Sequence, residues 1–578
     1  MGVALIAWGR FFDRAGNKIT VPAPSTTPGA PWLYDFLAGE VGALNAVGFS
    51  AIQLPPVSKA QGGAGDGCDG YGVFDRRDIG SKDQQGSRPT RYGDADSLRR
   101  FIANAHAVGL DVYLDVVLHQ LIGENGGPGV FRYLGADGRP DVGRGAMNPG
   151  CFRGIPPANR PEDAVPVPFF DFAFGDELIY QNCDPPGYTV EDALDYGDWL
   201  FRTTDADGGR FDDVKGTYAP FVSQFMRSRA MADKFFYSEY FDGDPGSLNW
   251  WATSSPMLSR SLVADFTLHF ALQAACNGGN ASALNGVGYM TWNPYLACTF
   301  VDNPDTDTSF GEQIVSSKLL AYAYMLTAEG YPFVYGKDYF NGDVWPGAYG
   351  LKPWIDNLIW IHETLAAGPT VNRWVDGKVI VRNRTGWPGL LTALNFDTWN
   401  EREITCDTAF GPNAALHDYT GRHPDIWTDG QGRATFRIPS NAFQGGQSYL
   451  CFSRPGFNAP VSRIPRRTTQ TFFGAADLDT APATPGRSVQ TGRIWCRAGT
   501  PIGAKLVVNP RDGMQARDVS FAIESPSGVT LAAGSTHAEG VCRATGWHTL
   551  CVEAAAGARG SASYELTVEY GGTPEGIG

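Results

Sequence analysis

Short apolar segments alternate with amphipathic helical segments over the first two thirds of this 578-residue chain. Eight segments have the length, apolar content and flanking turn residues of buried strands. They are Val3–Trp8, Ser50–Leu54, Leu110–Leu118, Gly209–Val214, Phe235–Glu239, Ser261–Ala264, Thr299–Asn303 and Tyr331–Tyr335. Repeated strand–helix units predict a parallel sheet with right-handed crossovers, and eight units predict an α/β fold, the closed (β/α)8 TIM barrel. A doubly wound open sheet is the alternative, although no glycine-rich nucleotide turn follows any strand.

The alternation is interrupted once and then ends. Residues 119–205 are rich in Gly and Pro and too long for a connecting loop, so we expect a small inserted domain, called domain B here. The barrel would then comprise residues 1–118 and 206–368. Residues 369–455 read as short strands and turns, which predicts an antiparallel β-sandwich, domain C. Residues 468–578 predict an extra C-terminal all-β domain.

The bulk charge limits the partners. The formal net charge is −15 and the pI is near 5.0, which argues against nucleic acid or an anionic membrane surface as a partner. No apolar run reaches the length of about 18 residues that a transmembrane helix needs. The first residues read as a strand with no basic segment before them, so we expect an extracellular or periplasmic monomer whose leader is absent from this chain.

Ten cysteines are dispersed along the chain without a CxxC motif, which argues against a zinc or thioredoxin-type site. An even number suits several disulfides in an oxidising compartment. Proximity in sequence suggests Cys151–Cys183, Cys276–Cys298 and Cys406–Cys451 as pairs. Free buried thiols are the alternative.

The segment Gly208–Lys215 reads as a buried strand that ends in a cluster of charge. Arg210 and Asp212 are two residues apart, so both side chains lie on one face of an extended strand. We expect Arg210 to lower the pKa of Asp212 and to keep it ionised, as a glycosyl-transfer nucleophile must be. A structural salt bridge is the alternative.

Acidic residues also stand at the ends of other predicted strands, and the set is Asp115, Asp212, Glu239 and Asp305. The carboxyl ends of barrel strands meet around one cleft, so these side chains are expected to converge. A retaining glycosidase needs two carboxylates about 5–5.5 Å apart, one as nucleophile and one as acid/base.

Six short motifs occur in order along residues 1–455. They are Gly70–Asp75, Asp115–Gln120, Arg210–Lys215, Ser238–Tyr240, Phe300–Thr306 and Tyr331–Gly336. In these motifs the chain resembles the α-amylase superfamily, glycoside hydrolase family 13, and is most similar to bacterial liquefying α-amylases. The resemblance implies a (β/α)8 barrel with domains B and C, and an α-glucan polysaccharide or oligosaccharide as substrate.

The same resemblance implies roles for individual residues. Asp212 would be the nucleophile, Glu239 the proton donor and then the base, and Asp305 the third carboxylate, which grips the sugar hydroxyls. The implied substrate-binding residues are Tyr71, Gln120, Arg210, Lys215 and Tyr240.

Three positions depart from the family pattern. His119-Gln120 stands where the family usually has Asn-His, Gly216 where it has His, and Pro304 where it has His before the last Asp. Gln120 can still donate a hydrogen bond to a sugar, whereas Pro304 cannot. His119 replaces an oxygen ligand of the family's structural calcium, and calcium prefers oxygen, so a calcium cofactor is possible but in doubt. Asn182 or Asp184 could contribute ligands.

We therefore expect a retaining endo-acting α-amylase that cleaves α-1,4 bonds in starch-like glucans. A transglycosylase or a maltooligosaccharide-forming amylase on the same scaffold is the alternative. A glucan-binding protein with impaired catalysis is a third, supported by Pro304 alone. Trp495, Trp547 and Tyr564 could bind glucan, but we interpret them as core aromatics.

Overall fold

A computed structural model gives the fold, and it describes residues 2–8, 32–65, 68–124, 130–135, 147–152, 176–181, 183, 185–307, 311–342, 347–477, 488–555, 557–558 and 560–574. Nearly half of the predicted domain B falls outside these residues, including Asn182 and Asp184. The predicted domain boundaries stay predictions. Among the described residues, no helix is both long and apolar enough to cross a bilayer.

Eight parallel strands close into a barrel, which confirms the predicted (β/α)8 architecture. The strands are β1 Ala4–Ile6, β2 Ala51–Pro56, β3 Asp111–Val116, β4 Gly208–Phe211, β5 Phe235–Ser238, β6 Leu262–Ala264, β7 Ala297–Phe300 and β8 Tyr331–Tyr335. Each is nearly or fully buried, because helices cover the outer face and side chains fill the interior. Five strands (β1, β3, β4, β5 and β7) end before the sequence predicts. Because β4 ends at Phe211 and β7 at Phe300, Asp212 and Asp305 lie on the loops above the barrel.

The helices surround this barrel. They are α1 Leu33–Val47, α2 Ala95–Ala107, α3 Tyr188–Thr204, α4 Ala219–Met226, α5 Pro245–Thr253, α6 Phe266–Gly278, α7 Lys318–Leu326, α8 Gly336–Tyr339 and α9 Lys352–Leu365. The cap predicted for α2 is present, because the Asp94 side chain accepts a hydrogen bond from the Ser97 amide at 2.8 Å. Helix α3 lies within the segment 119–205 but buries Leu200 and Phe201 in the barrel core.

Antiparallel sheets follow the barrel, as predicted. The strands of the first sandwich are Thr370–Val375, Val379–Arg384, Leu390–Asn395, Arg402–Asp407, Ala415–Asp418, Ile426–Trp427, Arg433–Ile438 and Tyr449–Ser453. Those of the C-terminal domain are Thr468–Asp477, Ser488–Cys496, Pro501–Arg511, Val519–Glu524, Thr530–Gly534, His537–Val541, Gly546–Ala554 and Ser561–Tyr570. The latter form two four-stranded sheets around their own hydrophobic core.

The C-terminal domain packs against barrel helices α2 and α3. Arg493 bonds Asp96 of α2 at 2.8 Å, and Arg100 of the same helix lies 5.2 Å from the ring centroid of Trp495. Trp495 in turn packs edge-on against Trp547 at 5.4 Å. Tyr564 is buried. These three aromatic residues therefore serve packing in this structure.

All ten cysteines are buried free thiols, so the suggested disulfides are absent from this structure. Cys406 and Cys451 show the reason for one pair. Successive side chains of a strand face opposite ways, and Cys406 faces the core of domain C whereas Cys451 faces the core shared with the barrel. Proximity in sequence did not account for this alternation. The pairings Cys151–Cys183 and Cys276–Cys298 fail likewise, since each of these thiols is free.

Candidate active site

Three carboxylates meet at the carboxyl ends of neighbouring strands. Asp115 lies in β3, Asp212 follows β4 and Glu239 follows β5. The register pairs Asp115 with Arg210 and Phe211 with Ser238, so these strand ends lie at one level of the barrel. Strands of a parallel barrel run in one direction, which is why residues from distant parts of the sequence share this rim.

Arg210 joins the three carboxylates. Its Nη1 lies 2.5 Å from Asp115 Oδ2 and 3.1 Å from Asp212 Oδ1, and its Nη2 lies 2.5 Å from Glu239 Oε2. A guanidinium is planar, always charged and rich in donors, so it can hold several carboxylates in fixed positions. Asp212 and Glu239 are therefore held by the two terminal nitrogens of a single guanidinium.

Tyr71 contacts the cluster that Arg210 forms with the three carboxylates. Its hydroxyl donates to Asp115 Oδ2 at 2.8 Å, and its ring lies 5.4 Å from the ring of Trp8. Trp8 lines the cavity beside Arg210 and Glu239, and its indole N–H is buried without a partner among the described residues. Nothing in the sequence singled out Trp8 except its place at the end of the first predicted strand.

Burial governs the proton affinity of the cluster. Burial raises the pKa of Glu239 to about 8, and the charges of Asp305 and Asp212 add to the effect while Arg210 opposes it. Burial likewise raises the pKa of Asp212 to about 7, against the pull of Arg210. The prediction of a lowered Asp212 pKa is therefore wrong, because burial, together with the charges of Asp115 and Asp305, outweighs the pull of Arg210.

These raised pKa values mean that the cluster holds a proton near neutral pH. Several carboxylates around one cation in a buried site cannot all be ionised without a large cost in free energy. The cluster can therefore supply both a protonated acid and an ionised carboxylate, which is the combination that glycoside cleavage requires.

Asp115 offers a test of this electrostatic account. Its charge raises the pKa of Asp212, so Asp115→Asn should lower that pKa and extend the acid limb of the kcat/KM profile to lower pH by about 1 unit. The pH dependence of starch hydrolysis measures the shift. Asp195→Asn, at an exposed surface position, should leave the profile in place. An unmoved acid limb in Asp115→Asn would show that another group controls it.

Asp305 is presented by a turn. The Asn303 side-chain oxygen accepts from the amides of Asp305 and Thr306, each at 2.9 Å, and Pro304 occupies the position where a turn favours a preset φ. Asp305 is half-buried, and its charge raises the pKa values of both Asp212 and Glu239. The turn therefore places the Asp305 carboxylate within electrostatic range of Asp212 and Glu239.

The buried ring of Pro304 lines the cavity beside Glu239 and Asn303. We expect Pro304→His to raise kcat by up to about 10²-fold, because an imidazole there adds a hydrogen-bond donor in the transition state. Pro304→Ala is the control, since it removes the ring without adding a donor. Steady-state kinetics on soluble starch give the comparison. Equal or lower kcat in Pro304→His would mean that the turn, not a missing donor, sets the rate.

Lys215 and Tyr240 lie together on one side of the cleft. Lys215 Nζ bonds Asp242 Oδ2 at 2.9 Å and lies 5.0 Å from the ring centroid of Tyr240. Tyr240 stacks on the buried Trp251 at 5.6 Å. Trp250, which is 52% exposed and 6.5 Å from Tyr240, adds an aromatic face that sequence reasoning missed. An exposed Trp beside a fixed Tyr suits stacking on a sugar ring.

Gln120 contacts the Tyr71 segment. It is buried, and its amide donates to the Tyr71 carbonyl at 3.3 Å. Its side-chain oxygen has no partner among the described residues. Gln120 therefore supports the Tyr71 segment, and its contact with substrate stays a prediction.

His119 occupies the position of the family's calcium ligand and bonds two acids. Its Nε2 lies 3.0 Å from Glu177 Oε1 and its Nδ1 lies 3.0 Å from Asp213 Oδ2. Burial acts to lower the pKa of His119, but the hydrogen bonds to Asp213 and Glu177 outweigh burial and raise the pKa to about 9. His119 is therefore an imidazolium at neutral pH. A cation with both nitrogens engaged cannot ligate calcium, so the described residues do not fit that metal.

Gly216 makes this arrangement possible. A Cβ atom at this position would lie 2.3 Å from His119 Nε2. The two departures from the family pattern at His119 and Gly216 are thus linked, because the imidazole of His119 occupies space that a side chain at position 216 would need. Sequence spacing could not show it, because the two residues come from different loops.

Known proteins that resemble the chain are mostly bacterial amylases. It is 29% identical over 409 residues to an alpha-amylase of Geobacillus stearothermophilus, covering 61% of this chain and 71% of the relative. It is 25% identical to the cytoplasmic alpha-amylase of Escherichia coli, covering 70% and 93%. It is 26% identical to a glucan 1,4-alpha-maltohexaosidase of a Bacillus species, covering 69% and 84%. No model of a protein family matches the chain.

Solved structures show the same fold. An alpha-amylase of Geobacillus thermoleovorans complexed with acarbose superposes with a TM-score of 0.55 at 17% identity, covering 78% of this chain and 97% of that one. An alpha-amylase of Malbranchea cinnamomea gives a TM-score of 0.56, also at 17% identity, covering 78% and 96%. At this identity the likeness concerns the fold alone.

Proposed function

Because the chain belongs to the α-amylase superfamily of glycoside hydrolases, we propose that it is a retaining, endo-acting α-amylase acting on α-1,4-glucans. The observation that carries the proposal is the Arg210 group, in which Asp212 and Glu239 bond one guanidinium at the mouth of the barrel. Two carboxylates that one cation holds side by side can supply the two roles that retention needs.

The first half of the reaction breaks the glycosidic bond. Protonated Glu239 gives its proton to the bridging oxygen, while the Asp212 carboxylate attacks the anomeric carbon from the opposite face. The bond between that carbon and the bridging oxygen breaks, and the product-side sugar leaves as an alcohol. The donor-side sugar remains joined to Asp212 as a β-glycosyl ester.

The second half releases the sugar. Ionised Glu239 takes a proton from water, the resulting hydroxide attacks the anomeric carbon, and the ester bond to Asp212 breaks. Two inversions give an α-product. Asp305 would stabilise the oxocarbenium-like transition states through its charge. Lys215, Tyr240 and Trp250 would hold the product-side sugars.

The test is a time course on soluble starch and amylose. Reducing-sugar release establishes hydrolysis, and proton NMR of the first product should show the α-anomer before mutarotation. A β-anomer would overturn retention. An endo-acting enzyme should shorten amylose rapidly while products of many lengths appear.

Product size also separates the alternative on the same scaffold. A single dominant product, such as the maltohexaose or maltotetraose for which two relatives are named, would favour a maltooligosaccharide-forming enzyme. Products longer than the supplied oligosaccharide would favour transglycosylation. No release from starch would favour a glucan-binding protein.

We also propose that the site works without the calcium that the resemblance implies. The support is the His119 imidazolium between Glu177 and Asp213, which supplies a positive charge to these carboxylates. An extracellular or periplasmic location stays a prediction.

A further inference from the structure

Three metal-ligating side chains meet inside the C-terminal domain, far from the barrel cleft. They are Cys496, Cys542 and His548, and their ligand atoms all lie within 4.8 Å of one another. Each side chain is at most 1% exposed. They are 46 and 6 residues apart in sequence, so they form no short sequence motif. The absence of a CxxC motif therefore did not test for a site of this kind.

The strand register brings these residues together. Cys496 ends the strand Ser488–Cys496 and pairs with Gly546, while His548 lies two positions further along the neighbouring strand. Side chains two apart on a strand share a face, so Cys496 and His548 are diagonal neighbours on the inner face.

The backbone holds Cys542 beside this pair. The Cys542 amide donates to the Thr500 carbonyl at 2.9 Å, and the Gly499 amide donates to the Cys542 carbonyl at 2.8 Å. The third side chain is thus fixed by main-chain contacts on both sides.

His548 is oriented as a ligand. Its Nδ1 bonds the Gly546 carbonyl at 2.9 Å, and a carbonyl can only accept, so Nδ1 carries the proton in the neutral ring. The lone pair is then on Nε2, which is buried and has no nitrogen or oxygen partner among the described residues. A backbone carbonyl that fixes the tautomer is the usual outer support of a metal-bound imidazole.

We propose that Cys496, Cys542 and His548 bind one zinc ion that ties three segments of the C-terminal domain together. Two thiolates and an imidazole are a zinc donor set. With bonds of about 2.0–2.3 Å, the ligand atoms of a tetrahedral site are roughly 3.5–3.8 Å apart, which is compatible with three atoms that all lie within 4.8 Å of one another. A disulfide between the two cysteines is the rival. It would leave the oriented His548 lone pair unused, and the other eight cysteines of this chain are buried thiols as well.

The test uses the full chain, purified in reductant and without chelator. We expect about one zinc per chain by elemental analysis, and loss of that zinc in Cys496→Ser, Cys542→Ser and His548→Ala. Cys551→Ala is the matched control, since it removes another buried thiol from the strand of His548 and should keep the zinc.

A second measurement does not depend on the variants folding. Cobalt added to the metal-free wild type should give sulfur-to-metal charge-transfer absorption and the strong visible bands of tetrahedral cobalt, and zinc should abolish both. No zinc in the purified protein together with no cobalt spectrum would overturn the proposal. A thiol count on a second preparation, purified and denatured without reductant, tests the rival, and a count two short of ten would show a disulfide and also overturn the proposal.

Discussion

Replacing Asp212 by Asn is expected to lower kcat on starch by about 10⁴-fold or more, while the fold and starch binding persist. The amide keeps the shape of the carboxylate and its place beside Arg210, but it cannot form the glycosyl ester. Kinetics on soluble starch measure the loss, and thermal unfolding checks the fold. Asp244→Asn is the control, because Asp244 caps α5 close to the cleft and Asn also caps helices well.

Replacing Glu239 by Gln should lower kcat on starch by about 10²–10⁴-fold, and the size of the loss should depend on the substrate. The missing proton donor matters less when the leaving group is a weak base. The variant should therefore lose less activity on an aryl maltooligosaccharide than on starch. The Asp212 variant should lose rate on both substrates. Equal losses in Glu239→Gln for both substrates would contradict its role as the acid.

Azide distinguishes the two carboxylates by stereochemistry. With an activated substrate, azide can enter the space left in Asp212→Gly and attack directly, which gives the β-glycosyl azide. In Glu239→Ala it attacks the glycosyl ester on Asp212, which gives the α-glycosyl azide. If instead Asp305→Gly produced the β-azide, Asp305 would be the nucleophile and the assignment made here would be wrong.

The barrel was predictable because its signal is local. Buried parallel strands are short apolar runs bounded by Gly, Pro and Asp, and that composition is visible in every one of the eight segments. The ends of β4 and β7 were less predictable, because the residues after Phe211 and Phe300 leave the sheet to form turns. The Asn303 turn that presents Asp305 depends on side-chain hydrogen bonds, which apolar periodicity does not report.

The residues of the site were also visible in sequence, but their electrostatics were not. The spacing of Arg210 and Asp212 suggested one ion pair, whereas the guanidinium also bonds Asp115 and Glu239 from other strands. The sign of the Asp212 pKa shift follows from those distant partners and from burial. The pairing of His119 with Glu177 and the meeting of Cys496 with Cys542 are long-range contacts of the same kind.

The contacts of His119 with Glu177 and Asp213 should contribute strongly to the free energy of unfolding. His119→Ala is expected to lower the free energy of unfolding by about 3–5 kcal/mol, because it leaves the fully buried Glu177 without its cation. His417→Ala is the matched control. His417 pairs with Asp425 at 2.7 Å on the surface, where both side chains are about half exposed, so its loss should cost about 0–1 kcal/mol. Denaturant unfolding of both variants gives the comparison.

The pH dependence of this stabilisation follows from the raised pKa. His119 has a pKa of about 9 in the fold against an ordinary value of 6.5. Its contribution is therefore complete below about pH 6.5 and is lost as the pH rises through about 9. The wild type should lose more stability than His119→Ala over this range. Parallel curves for the two proteins would mean that His119 is not charged in the fold.

Calcium separates this account from the one that the family pattern implies. In protein treated with EDTA and then reloaded with zinc alone, which fills the proposed site at Cys496, Cys542 and His548, added calcium should leave the melting temperature unchanged, whereas an empty calcium site would make added calcium raise it. The Gly216→Ala variant tests the position of His119 between Glu177 and Asp213 without replacing His119 itself. Its Cβ would lie 2.3 Å from His119 Nε2, so the imidazole must move away from Glu177, and the melting temperature should fall as it does in His119→Ala. An unchanged melting temperature in Gly216→Ala, or a zinc-reloaded wild type that calcium stabilises, would show that His119 does not replace the metal.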